Sequence, residues 1–158
     1  MVVKLPLMEK HEIDSLIWNR RLCRIAFRGT DYPYIAPFQY VVINNSLYFH
    51  FTDYGKKMRL LEKDNRVCVE IEDLKSDLSE YNFVSIIGKL RIVDDPNERK
   101  EAINLMAEDG RRNLSTNFLT AHGLNREDGW DSLSTEKPLI IVRLEAVKEI
   151  GVKSPTTQ

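Results

Sequence analysis

Residues 22–28 alternate, with Cys23, Ile25 and Phe27 on one face and Arg24 and Arg28 on the other, which is the two-residue period of a half-buried β-strand. Strand-like runs recur at 34–43, 47–51, 66–71, 83–93 and 139–147. Gly29-Thr30-Asp31 and Asn44-Asn45-Ser46 are turn signals between them. Pro37 falls inside the second run, and since it has no N–H to give a ladder it predicts a bulge or a sheet edge there. About six short antiparallel strands with tight turns predict a mainly β domain, closed or nearly closed into a barrel, with flanking helices.

Helical patterning occupies the intervals. Residues 9–19 place Ile13, Leu16 and Ile17 on one face and predict a helix packed as a lid. Further helices are predicted at 54–63, 96–108 and 112–122. The one at 96–108 has a defined start: Asp95 as cap, Pro96 at the first helical position and Glu98 to complete a capping box. Residues 123–137 are polar, with Trp130 alone among them, and read as a functional or interface loop.

A chain of 158 residues makes one domain, expected to span 1–158 with about 1–7 and 153–158 frayed. Its 23 basic and 24 acidic residues, in no long run of one sign, argue against nucleic acid and membrane surfaces as partners. No stretch resembles a signal peptide or a membrane span, so a cytoplasmic location is expected. Cys23 and Cys68 lie in strand-like runs without CxxC spacing and are expected to be reduced and buried. His11, His50 and His122 have no ligand-like spacing, so no metal site is expected.

The segment Tyr48-Phe49-His50-Phe51-Thr52-Asp53-Tyr54-Gly55-Lys56-Lys57 carries the chemistry. After a strand, Thr52 and Asp53 are competent N-caps, yet the helix opens with Gly55, Lys56 and Lys57. Two lysines at the positive end of a helix dipole repel it unless an anion sits between them. A phosphate would answer that, with Gly55 allowing close approach and Thr52 donating its hydroxyl. Solvated surface lysines helped by Asp53 are the alternative. His122, at a helix end before Gly123, and His11 receive no role.

At this point the chain resembles the pyridoxamine 5′-phosphate oxidase-like split barrels that bind FMN, nearest their nitroimidazole-resistance branch. The resemblance rests on motifs in order: Arg21-Leu22-Cys23-Arg24-Ile25-Ala26-Phe27, Tyr32-Pro33-Tyr34-Ile35-Ala36-Pro37, Leu47-Tyr48-Phe49-His50, Gly55-Lys56-Lys57, Leu60-Leu61 and Asn65-Arg66-Val67-Cys68. Ser85-Ile86-Ile87-Gly88-Lys89-Leu90 with Val93-Asp94-Asp95, and Glu149-Ile150-Gly151-Val152-Lys153, continue it. It implies a six-stranded antiparallel split β-barrel that forms a homodimer with FMN at the subunit interface. The phosphate would lie on Thr52, Lys56 and Lys57. The isoalloxazine would lie against Ala36, Pro37, Phe38, Gln39, Tyr40, Phe49, His50 and Phe51.

His50 would deliver a proton or contact the small-molecule substrate, a task that its ordinary pKa near ~6.5 suits. Trp130 would stack on the flavin from the partner chain, or anchor its own loop. The implied activity is an FMN-dependent oxidoreductase acting on a small, flat, electron-poor acceptor of nitroaromatic or quinone type. A non-catalytic flavin or haem carrier or redox sensor is the alternative. The ending Gly151-Val152-Lys153-Ser154-Pro155-Thr156-Thr157-Gln158 lacks the substrate-gripping Arg and His and the Arg-Leu-x-Pro of true pyridoxamine phosphate oxidases, which argues against vitamin B6 oxidation.

Overall fold

The computed structural model describes residues 3–155. Seven strands form one antiparallel sheet: β1 (Leu22–Phe27), β2 (Tyr34–Gln39), β3 (Val41–Ile43), β4 (Ser46–Phe51), β5 (Arg66–Leu74), β6 (Tyr81–Ile92) and β7 (Ile140–Lys153), in the order β2-β1-β5-β6-β7-β4-β3. The helices are α1 (Lys10–Asn19), α2 (Lys56–Lys63) and α3 (Pro96–Asn113).

The seventh strand comes from a break at Tyr40. The run 34–43 was expected as one strand, but its halves lie at opposite edges of the sheet: β2 pairs with β1 and β3 with β4. Tyr40 itself joins neither. Its N–H donates to Arg21 O at 3.0 Å and its hydroxyl to Ile17 O at 2.7 Å, which holds the corner. Between the two edges the sheet closes through side chains instead of a ladder. Phe38 of β2 stacks on Phe51 of β4 with ring centres 4.9 Å apart and meets Phe49 edge-on at 6.0 Å. This is the split of a split barrel. Pro37 lies on the edge strand β2, as a residue without an N–H must if it is not to waste a ladder bond.

Strand β4 divides two cores. Leu47, Phe49 and Phe51 point into the barrel with Ile25, Phe27, Val69, Ile71 and Val84. Tyr48, on the opposite face, enters a second core built from Ala102, Ile103, Met106 and Ala107 of α3 with Leu119, Trp130 and Ile141. Burying each large apolar side chain contributes about 1.5–3 kcal/mol, so covering both faces of β4 ties α3 and the segment after it firmly to the barrel. α1 adds Ile13 and Leu16 to the barrel core, packing as the expected lid.

Helix α3 starts as predicted, with Asp95 accepting from the Glu98 N–H at 2.7 Å and Pro96 in the first turn. Glu98 does not complete a capping box; its carboxylate accepts from the Tyr48 hydroxyl at 2.6 Å and from Arg143 at 2.7 Å, a charged and therefore stronger donor. The helix continues to Asn113. In place of a helix at 112–122 there is a 3-10 segment, Thr116–His122, capped by Ser115 and ended by Gly123 at φ 71°. Shorter 3-10 turns follow at Arg126–Asp128 and Trp130–Ser132.

The chain ends are tied where fraying was expected: Lys153 N–H donates to Pro6 O at 3.0 Å, and Leu7 forms an antiparallel bridge with Val152. Residues 1, 2 and 156–158, also expected to fray, lie outside the described residues. Cys23 is buried as expected, while Cys68 is only half-buried because it faces outward from β5; both are free thiols.

Candidate functional site

The turn from β4 to α2 is built differently from its predicted form. Gly55, at φ 94°, is the N-cap, and no side chain caps α2. A positive φ there costs a glycine little and other residues much. Thr52 instead donates its hydroxyl to Tyr54 O at 2.8 Å and shapes the turn. The first N–H groups of α2 thus have no side-chain acceptor, and its first turn holds no acidic residue. Lys56 places Nζ 4.6 Å from the centre of the Tyr34 ring, and Lys57 places Nζ 4.7 Å from that of Phe38.

Among the described residues neither lysine forms an ion pair. Lys57 is half-buried, and burial lowers its pKa. A positive helix end and a desolvated, unpaired ammonium therefore share one turn, which fits the residues to an anionic group such as a phosphate.

His50 projects from the same strand beneath α3 and the 3-10 segment. It is buried, and its Nδ1 lies 3.2 Å from Nδ1 of His122, also buried. The rings stack with centres 5.4 Å apart. Nε2 of His122 is 2.9 Å from Gln39 Oε1. The Gln39 amide nitrogen donates to Met106 O at 3.2 Å and to Asp109 Oδ2 at 3.3 Å, and Asp109 also accepts from Arg21 at 2.7 Å. Burial pushes the His50 pKa down to about 3, aided by His122, Lys57 and Arg99, and that of His122 to about 4, aided by Lys57. Both rings are neutral at physiological pH, and both feel the charge of Lys57.

The predicted site residues fall into three groups. Ala36, Phe38, Phe49 and Phe51 turn their side chains into the barrel, so that a ligand outside it would meet their backbone. Pro37 is exposed on the open edge of β2, between Tyr34, whose ring lies under Lys56, and Phe38, whose ring lies under Lys57, while Thr52 belongs to the turn that leads into α2. His50 and Gln39 belong to the buried polar chain, and Tyr40 to the corner. Trp130, expected as a flavin contact or a loop anchor, is placed as an anchor: it is 4% exposed, packs on Gly110 of α3 and stands edge-on to His122 at 6.0 Å. Its Nε1 is buried without a partner among the described residues.

The sequence reading missed His122 as a partner of His50. Nothing local marks it, since its partners at 39 and 50 are brought to it only by the sheet.

The profile of the pyridoxamine 5′-phosphate oxidase family matches residues 9–125, most of the chain, and the chain belongs to that family. Solved structures share the fold over nearly the whole length. An FAD-binding protein from Mesorhizobium loti matches with a TM-score of 0.72 at 16% identity, covering 97% of this chain and 100% of its own. A candidate 5-nitroimidazole antibiotic resistance protein from Bacteroides thetaiotaomicron matches with a TM-score of 0.64 at 18% identity, over 95% and 87% of the two chains. An FAD-binding protein from Mycobacterium smegmatis matches with a TM-score of 0.62 at 17% identity, over 95% and 100%. At such identities the likeness carries the fold alone. No curated protein sequence gives a significant match.

Proposed function

We propose that this chain is a cytoplasmic, homodimeric FMN-binding oxidoreductase that passes electrons to a small, flat, electron-poor acceptor of nitroaromatic or quinone type. The observation that carries the reading is Lys57, a half-buried cation without a counter-ion among the described residues, at the uncapped start of α2. The family and the flavin-binding names of two fold neighbours support a flavin. One turn with two lysines suits a single phosphate, which favours FMN. Lys56, Lys57 and the first amides of α2 would hold it, with the backbone of 36–40 along the ring and His50 toward the substrate. Bound FMN would supply the electron chemistry, and the protein supplies orientation and electrostatics.

The dimer is supported by the outer face of the sheet. Ile35, Ala26, Cys68 and Ile87 are register neighbours across β2, β1, β5 and β6 and form an apolar row. Ile35 is 63% and Ile87 49% exposed, and a cleft of about 450 Å³ lies at Ala26, Cys68 and Ile87. A second copy is the partner such a row suits. Two free thiols fit a reducing compartment. None of the described helices is long and apolar enough to cross a membrane.

Titration with FMN, FAD and riboflavin, followed by flavin absorbance and fluorescence, tests the reading. FMN is expected to bind tightest, and Lys56→Ala with Lys57→Ala to weaken FMN far more than riboflavin. Equal loss of both refutes the phosphate assignment, and a protein that takes up no flavin refutes the function.

A further inference from the structure

The direction of every hydrogen bond in the chain from His50 to Asp109 follows from its far end. The Met106 carbonyl and the Asp109 carboxylate can only accept, and both lie against one atom of the Gln39 amide, at 3.2 and 3.3 Å. That atom must be the amide nitrogen. Gln39 Oε1 therefore faces His122 and accepts from its Nε2, 2.9 Å away, so His122 carries its proton on Nε2. In the neutral ring Nδ1 then holds a lone pair. His50 Nδ1, 3.2 Å away, can only donate to it. This leaves Nε2 of His50 bare. Nε2 has no hydrogen-bond partner among the described residues, and it is not sealed from solvent, since Trp130 Nε1 is the one fully buried, unpaired side-chain polar atom among them.

We propose that His122, oriented by Gln39, is a positioning residue that holds His50 as its Nδ1–H tautomer and thereby presents His50 Nε2 as a proton acceptor to the ligand of this site. What Nε2 serves rests on the flavin reading above; the tautomer does not. A proton taken by Nε2 from an N–H or O–H group of the ligand or of water leaves the bonding electron pair on that group. His50 can then pass its Nδ1 proton to Nδ1 of His122. His50 ends neutral with its proton on Nε2, and the positive charge rests on His122 against Gln39 Oε1. The groups that bear on this charge are Lys57 and Arg99 at His50, Lys57 at His122, and Asp109 beyond Gln39. The pair thus accepts a proton at one end and stores it one ring further in.

The test is long-range proton–nitrogen NMR on protein with 15N-labelled histidine, without added ligand, at about pH 7.5, where both rings are neutral. The expected pattern is His50 protonated at Nδ1 and bare at Nε2, with His122 the reverse. His50 protonated at Nε2 overturns the assignment. His122→Gln keeps an acceptor and should preserve the His50 tautomer, whereas His122→Phe should give a mixture. A pure Nδ1–H form in His122→Phe overturns the positioning role. Should that variant not fold, Gln39→Met reads the same role by freeing both rings to exchange tautomers, and an unchanged pattern there counts against it.

FMN is then added to the labelled protein. The His50 Nε2 resonance should move while Nδ1 stays protonated; flavin uptake without that movement overturns the presentation of Nε2 to a ligand. Absence of flavin uptake sinks the flavin reading and the ligand role with it, while the tautomer is judged on the ligand-free spectrum.

Discussion

Nδ1 of His50, on β4, and Nδ1 of His122, at the end of the 3-10 segment, lie 3.2 Å apart across 72 positions of sequence. They are two of the few polar side chains in the second core, and the contact requires that at least one ring be uncharged. A ligand anion near Lys57 would ease protonation of both, because Lys57 is among the charges that hold their pKa values down.

Acid should therefore unfold this protein earlier than a protein with exposed histidines. Burial is the main reason that His50 is held at about 3 and His122 at about 4, while in the unfolded chain each titrates near ~6.5. The folded values are below the unfolded ones, so the unfolded state binds protons first as pH falls. Stability from the neutral pair is complete above about pH 6.5 and is lost progressively as pH falls toward the folded values. Each histidine adds a slope approaching about 1.4 kcal/mol per pH unit in that window. Urea midpoints measured from about pH 7.5 to about pH 5 should fall, and the double change His50→Gln with His122→Gln should flatten the curve. A wild-type midpoint constant over that range would mean that the rings titrate in the fold as they do in the unfolded chain.

The apolar row on the outer sheet face gives a prediction about assembly. Ile87 sits at the β6 end of the row, beside Cys68, and is 49% exposed in the single chain. A carboxylate there would have to be desolvated at a dimer interface, which costs several kcal/mol, yet in a monomer it would face water at little cost. Ile87→Asp is expected to run as a monomer in sedimentation experiments, with a urea midpoint less dependent on concentration than the wild type. A wild-type chain already monomeric at micromolar concentration would end the interface assignment.

Helix α3 carries Gly110 in its interior, where alanine would ordinarily stabilise by about 1 kcal/mol. Here a Cβ would stand 2.2 Å from Cε3 of Trp130. The indole is buried and cannot swing away without opening the cover of His122, and overpacking of this kind costs about 1–3 kcal/mol. Gly110→Ala should lower the melting temperature despite the gain in helix propensity. It should also make the acid sensitivity of the fold shallower, because water reaching His122 lets it protonate in the native state. A variant as stable as the wild type or more so would show that the indole yields.

How much of this was legible follows from the range over which each cause acts. The alternation of Cys23, Ile25 and Phe27 marked β1 and its buried face because that pattern is local. Pro37 marked an edge because one missing donor suffices to do so. Asp95 and Pro96 marked the start of α3 for the same kind of reason. The break at Tyr40 was hidden, since β2 and β3 are both apolar and the switch between sheet edges depends on Arg21 and Ile17. Burial of both faces of β4 was hidden too, because Tyr48 and His50 carry polar atoms whose partners, Glu98 and His122, come from far along the chain. At α2 the location of the anion-friendly turn was legible and its cap was not. Thr52 and Asp53 are stronger capping residues than Gly55, but the backbone turn at Tyr54 claims the Thr52 hydroxyl.

Lys57 separates stability from binding. Its ammonium is half-buried over Phe38, without an ion pair among the described residues, at the end of a helix dipole that repels it. Methionine has a similar length, keeps the contact with the ring and removes a charge that burial disfavours. Lys57→Met should therefore leave the urea midpoint unchanged or raise it. If the turn holds a phosphate, the same change removes a charged hydrogen bond worth about 1.5–3 kcal/mol, and FMN should bind roughly 10- to 100-fold more weakly with riboflavin little affected. The acid limb of stability should also become shallower, because the loss of a nearby cation lets both histidines protonate more readily in the fold. Destabilisation of more than about 1 kcal/mol together with unchanged FMN affinity would make Lys57 a structural residue and move the anion site elsewhere.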